Sequence, residues 1–184
     1  MRLDEETRAR RTATLGVDHP DTLTSLWSMA QDLIKLDRGA LAVPLLDECL
    51  QRAAGKRVHR NFPEVANLRL RHFEKAKNAQ ECRTTAELWA KQKRTDVASL
   101  YQAAVCRAVT AAVPNAKNAE GADSVRLANV EADQAMAWLK NAVAAGFDDL
   151  SAVRTHKDLD ALRDHAEFKT PLAELEKKQE LKMK

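Results

Sequence analysis

Between Pro63 and Pro114 the sequence contains neither glycine nor proline. Such a stretch has nothing suited to the positive-φ turns of a β-hairpin and nothing that breaks a helix, so most of it has to be helical. Val65, Leu68, His72, Ala79, Cys82, Ala86 and Trp89 keep one face over many turns, which predicts a long helix from Pro63 to about 92. Asn78 is the place where that helix would divide in two. Thr95-Asp96 then offers an N-cap to Val97, Leu100, Tyr101, Ala104, Val105, Ala108 and Ala112, a further helix of about 96–113.

The flanks follow the same rule. Pro20 stands where its missing N–H does no harm, and Leu23, Leu26, Trp27, Ala30, Leu33 and Ile34 follow at helical spacing, giving a helix of about 20–36. Asp37-Arg38-Gly39 makes a short turn into a second stripe, Ala42, Leu45, Leu46, Cys49 and Ala53, that ends near Gly55. The two form an antiparallel hairpin. PNAKNAEGAD (114–123) is a loop. A helix of about 124–145 follows, with Ala128, Ala132, Ala135, Met136, Leu139 and Val143 inward, and closes at Gly146 with Phe147 over its last turn. DLDALRDH (158–165) reads as a short helix, and Thr170-Pro171 restarts a terminal helix that ends in KKQELKMK (177–184).

A shift of 43 residues superimposes Leu3-Asp4-Glu5 on Leu46-Asp47-Glu48 and Pro20 on Pro63. Repeats of that period are helix hairpins, which stack because one hairpin cannot bury its own apolar face. The expected fold is all-α: antiparallel hairpins stacked as a short right-handed solenoid with a C-terminal capping segment. Residues 1–16 are a partial repeat, 17–55 the first full repeat, 62–113 a long helical hairpin, 114–123 a loop and 124–184 the closing helix and cap. With 45% hydrophobic and 31% charged residues, disorder is excluded, and aromatics at 4% leave little to line a ligand pocket.

Net charge is only +3, but it is unevenly placed. Residues 51–95 carry twelve Lys/Arg against four Asp/Glu, so a basic middle lies between weakly acidic flanks. Cys49, Cys82 and Cys106 are widely spaced and odd in number, which suits a reducing compartment. No apolar run approaches a membrane span and the first residues lack the apolar core of a secretion signal, so a cytoplasmic location and no membrane partner are expected.

The run LGVDHPDTLTSLWSMAQDLIKLDRGALAVPLLDECL (15–50) resembles a tetratricopeptide repeat of the kinesin-light-chain type common in bacteria. Leu26, Met29, Ala30 and Leu33 fall on the packing positions of that family's first helix, and Ala42, Leu46 and Cys49 on those of its second. Leu3–Leu15 looks like the second helix of a preceding repeat. SLYQAAVCRAVTAAV (99–113) and QAMAWLKNAVAAGFDDLSAVRTHKDLDALRDHAEFK (134–169), with RLRHF and CRTTAELW between, are similar to the C-terminal repeat regions of planctomycete serine/threonine kinases. The resemblance implies a non-catalytic adaptor that binds another protein or peptide. It equally allows a targeting tail related to such a kinase. Where the family places asparagines on the groove face this chain has Trp27 and Ser28, and Asp37 and Gly39 replace the Gly and Tyr of the inter-helix turn. Homodimerisation through an exposed N-terminal repeat end is a further expectation.

No glycine-rich phosphate loop, DFG, GxSxG or HExxH motif occurs, so no catalytic residue and no cofactor is expected. His156, Asp158, Asp160, Asp164 and His165 have the ligand types of a metal site, but their places suit helix-start charges better. The three cysteines sit in apolar stripes, where thiols pack rather than react. Trp89 and Trp138 read as packing residues; Trp27 reads either as a structural residue or as an anchor for a partner's apolar side chain. The candidate partner-binding residues are Trp27, Ser28 and Gln31 on the first helix and Arg69, Arg71 and Lys75 in the basic middle. With KRVHR (56–60), the last three also admit polyanion or nucleic-acid binding, the less favoured reading because stacking aromatics are missing apart from Phe73.

Overall fold

A computed structural model of the chain describes residues 2–53, 62–93, 95–113 and 122–183. Every regular element among them is helical: α1 (Arg2–Leu15), α2 (Pro20–Lys35), α3 (Gly39–Ala53), α4 (Phe62–Lys75), α5 (Ala79–Lys91), α6 (Val97–Ala112), α7 (Ala122–Ala144), α8 (Leu150–Thr155), a 3₁₀ turn (Lys157–Leu162) and α9 (Lys169–Met183). Gly55, KRVHR at 56–60 and residues 114–121 of the expected loop lie outside the described residues. The chain divides into two compact units, Met1–His72 and Phe73–Lys184, with the division inside α4.

In the first unit α2 lies against both α1 and α3. His19 caps α2 by accepting the Asp21 N–H on Nδ1 at 3.2 Å, and Pro20 takes the first helical position. Leu23, Leu26, Ala30 and Leu33 are buried along one face and meet Ala42, Leu46, Cys49 and Leu50, which are 0–1% exposed, as the core of this unit. The α2–α3 turn is a Schellman motif: Arg38 N–H donates to the Leu33 carbonyl at 2.8 Å and Asp37 N–H to that of Ile34 at 3.0 Å. Asp37 takes the left-handed conformation, φ 57°, where glycine is usual. The glycine falls two residues later because the His72 ring lies against Gly39, where a Cβ would stand 2.0 Å from Cε1.

The stretch 63–92, open to one helix or two with Asn78 as the dividing place, is two. α4 ends at Lys75, and α5 starts at Ala79 with Asn78 as its N-cap, its side chain accepting the Glu81 N–H at 3.2 Å. The turn repeats the previous motif: Asn78 N–H donates to the Phe73 carbonyl at 2.9 Å, and Lys77 is left-handed at φ 52°. Asp37 and Lys77 stand 40 residues apart, and the burial pattern follows the same shift. Thr22, Ser25, Leu26, Met29 and Ala30 of α2 correspond to Phe62, Val65, Ala66, Arg69 and Leu70 of α4, all buried. Ala42, Leu46 and Cys49 of α3 correspond to Cys82, Ala86 and Trp89 of α5, also all buried. The register is therefore 40 residues, in place of the 43 suggested by the matching tripeptides and prolines.

In the second unit α6 is central, packed on α5, α7 and the 3₁₀ turn. Trp89 donates its indole N–H to the Ser99 carbonyl at 3.2 Å, and Asp96 caps α6 through the Ser99 N–H at 2.9 Å, fixing the α5–α6 corner. Gly146, φ 113°, ends α7, and Phe147 turns back to stack on Tyr101 with ring centroids 4.3 Å apart. The expected short helix at 158–165 is the 3₁₀ turn, whose Leu159 and Leu162 are 0% exposed, each burial being worth about 1.5–3 kcal/mol. α9 is held by buried Pro171 and Leu175 and by Lys178, whose ammonium donates to the Val143 carbonyl at the end of α7 at 2.7 Å. No helix among the described residues is long and apolar enough to cross a membrane.

Candidate partner-binding surface

Trp27, Ser28 and Gln31 come together on α2 by the i, i+4 rule, all three half-buried and off the stripe that packs on α3. The Trp27 indole N–H is buried with no acceptor among the described residues. With its N–H out of reach, the side chain offers a partner only apolar contact, through the part that stays exposed.

Beside this face α1 and α2 enclose an apolar groove of about 460 Å³ lined by Arg8, Ala9, Thr12, Ala13 and Met29. The groove was not foreseen; its small residues Ala9, Thr12 and Ala13 on consecutive turns of α1 are the sequence signal that marks it. Its walls are fixed by ion pairs and hydrogen bonds. Arg8 reaches Glu48 of α3 at 3.2 Å, Arg52 holds Glu48 at 3.0 Å and Asp18 at 3.2 Å, and Arg11 donates to Ser25 Oγ at 2.7 Å and to the Asp21 carbonyl at 3.0 Å.

The basic candidates separate. Arg69 is 3% exposed, and its Nε donates to Asp47 of α3 at 2.7 Å, so it joins α4 to α3 instead of facing a partner. Arg71 is half-buried on the same helix. Lys75 is exposed in the last turn of α4, beyond the division of the chain. Arg83 is also spent internally: its Nε meets Glu131 Oε1 of α7 at 2.7 Å, and Arg107 of α6 meets Oε2 at 2.7 Å. This Arg–Glu–Arg cluster, with Glu131 2% exposed, was missed. Its signal was an acid on the inward face of α7, one residue before Ala132.

The His/Asp residues of the C-terminal region are used locally. His156 Nδ1 accepts the Asp158 N–H, and His165 Nε2 lies 2.9 Å from Asp133. Lys140 meets Glu167 at 2.7 Å, and that hydrogen bond holds the carboxyl below the usual carboxylate range. Among the described residues no three His, Cys, Asp or Glu side chains converge as metal ligands. All three cysteines are buried; burial first and the Glu48 charge second push the Cys49 thiol up to about 12, so it stays protonated at neutral pH. Burial, reinforced by Asp149 and Asp158, raises the Tyr101 phenol to about 12 as well. Trp89 is a core residue at 5% exposure, while Trp138 is half-buried.

The chain matches no family model, no curated protein and no solved structure.

Proposed function

We propose that this chain is a non-catalytic helical-repeat scaffold of the tetratricopeptide type, which binds another protein through the α2 face carrying Trp27, Ser28 and Gln31. The observation that supports it is the 40-residue recurrence of one arrangement: helix, Schellman turn with a left-handed non-glycine residue, helix, with eight buried positions recurring at that shift. Stacked units of that kind present a row of first helices as a rigid surface, and that surface is where such arrays hold their ligands. Trp27 is the aromatic anchor on it, through the part of its half-buried side chain that stays exposed.

The polyanion reading is weaker, because Arg69 and Arg83 are committed to Asp47 and Glu131. The kinase-tail reading rests on the sequence resemblance alone, and nothing in the geometry favours it.

The test is affinity capture from host lysate by the full chain and by Trp27→Ala and Gln31→Ala variants, with mass spectrometry of what is retained. A protein held by the wild type at 0.5 M salt and lost from both variants supports the reading. Equal capture by all three proteins, or release of every captured protein by salt, overturns it.

A further inference from the structure

Arg83, Arg107 and Glu131 leave one charge over. Both guanidiniums meet the same carboxylate, Arg83 Nε at Oε1 and Arg107 Nη1 at Oε2, each at 2.7 Å. Among the described residues neither arginine meets a second carboxylate: the further contact of Arg83 is the neutral Gln80 Oε1 at 3.3 Å, and Arg107 Nε is buried with no acceptor. The side chains are largely out of water, 18% exposed for Arg83, 8% for Arg107 and 3% for Glu131, so one positive charge is held there without a counter-charge. Water accepts N–H bonds in such a place but does not cancel the charge, and a buried ion without a counter-ion is among the costliest things a fold can carry.

Beside the cluster the start of α5, the end of α6 and the first turns of α7 enclose a small crevice. Arg83 forms one side, Ser124 and Thr110 are its other polar residues, and Val113 and Ala128 are among its apolar walls. Among the described residues no carboxylate lines it. Thr110 Oγ1 donates to the Cys106 carbonyl at 2.9 Å, which leaves Arg83 and the Ser124 hydroxyl as the donors that face an occupant. Ala79, the first residue of α5, also lines it, so the positive end of that helix adds to the field of Arg83. The crevice has room for about one water-sized particle. That admits a single-atom ion and excludes phosphate, sulfate and other oxyanions.

From this we infer that the crevice is a binding site for one small monovalent anion of the halide class, chloride in the first place, held by Arg83 and Ser124 and balancing the surplus charge of the Arg83–Glu131–Arg107 cluster. The inference goes beyond the scaffold reading and does not depend on it, because the crevice belongs to the second unit and Trp27 to the first.

Urea unfolding of the full chain in 0.2 M sodium chloride and in 0.2 M sodium gluconate tests it, the gluconate anion being too large for the crevice. The folding equilibrium constant is expected to be about tenfold higher in chloride, the ratio that a dissociation constant of about 20 mM produces at that concentration. In Arg83→Gln, and in Ala128→Leu, which fills the crevice and keeps both arginines, the ratio should fall below about twofold, while Arg154→Gln, on an exposed pair elsewhere, should keep it. Chloride NMR on the folded wild type gives a reading that needs no variant: the resonance should be broadened by the protein and narrow again when bromide is added. Equal stability of the wild type in the two salts overturns the inference. So does a chloride preference retained by Ala128→Leu, or a chloride resonance that bromide leaves unchanged.

Discussion

At the scale of single residues the chain carries identifiable strain. Asp37, Lys77 and Lys93 take positive φ, and a side chain there brings Cβ against the following carbonyl oxygen. At Lys77, exposed in the α4–α5 turn, glycine relieves that contact but loosens the unfolded chain. The first effect is the larger, so Lys77→Gly should stabilise the protein by about 0.5–1 kcal/mol, read as a raised urea midpoint at unchanged slope. Tyr101 is the opposite case, a residue well packed but polar without use. It is 7% exposed and stacked on Phe147, and its hydroxyl has no partner among the described residues. Tyr101→Phe keeps the stacking and removes an unpaired buried group, so stability should hold or rise by up to about 1 kcal/mol. A loss above that figure would show that the hydroxyl does have a partner in solution.

At the scale of elements, most helices were legible, α8 excepted, and their boundaries only where a marker residue stands. α2, α3, α6 and α7 could be read within two or three residues because each is bounded by a Pro, a capping Asp or a closing Gly. The break between α4 and α5 was hard to see because its turn uses Lys77 where the signal would have been glycine, and only the Asn78 cap marks it. Glu131 escaped for a related reason: an acid on an inward helical position reads as exposed until its partners, distant in sequence, are known. The Arg83–Glu131–Arg107 cluster joins α5, α6 and α7, and removing the central charge leaves two arginines facing each other in a nearly dry site. Glu131→Gln should therefore cost about 3–5 kcal/mol in denaturant melts, whereas Lys140→Gln, on the exposed pair with Glu167, should cost less than about 1 kcal/mol.

At the scale of the whole molecule, the all-α class followed from composition and periodicity, while the repeat register needed the turns. The tripeptide match at 43 residues sets the start of α1 against the middle of α3 and so carries no structural register; the burial of eight positions recurs at 40 because packing, not identity, is what a repeat conserves. The candidate site was half legible for the same reason: Trp27 and Gln31 could be placed by helical spacing alone, but the burial of Arg69 depends on Asp47 in another helix.

One property belongs to the molecule as a whole, because it arises in both units. In the unfolded chain Cys49 and Tyr101 lose protons near 9 and 10, and in the folded chain both do so near 12. Between those values the unfolded chain binds fewer protons than the folded one, so stability falls as pH rises from about 9 and stops falling from this cause near 12; at neutral pH neither group contributes. Urea midpoints at pH 8 and pH 11 should show the wild type losing on the order of 3 kcal/mol more than Cys49→Ala/Tyr101→Phe, whose two sites cannot ionise. Equal losses in the two proteins would mean that the thiol and phenol meet water in the folded state, and that the tight packing around Cys49 and Tyr101 is not maintained at high pH.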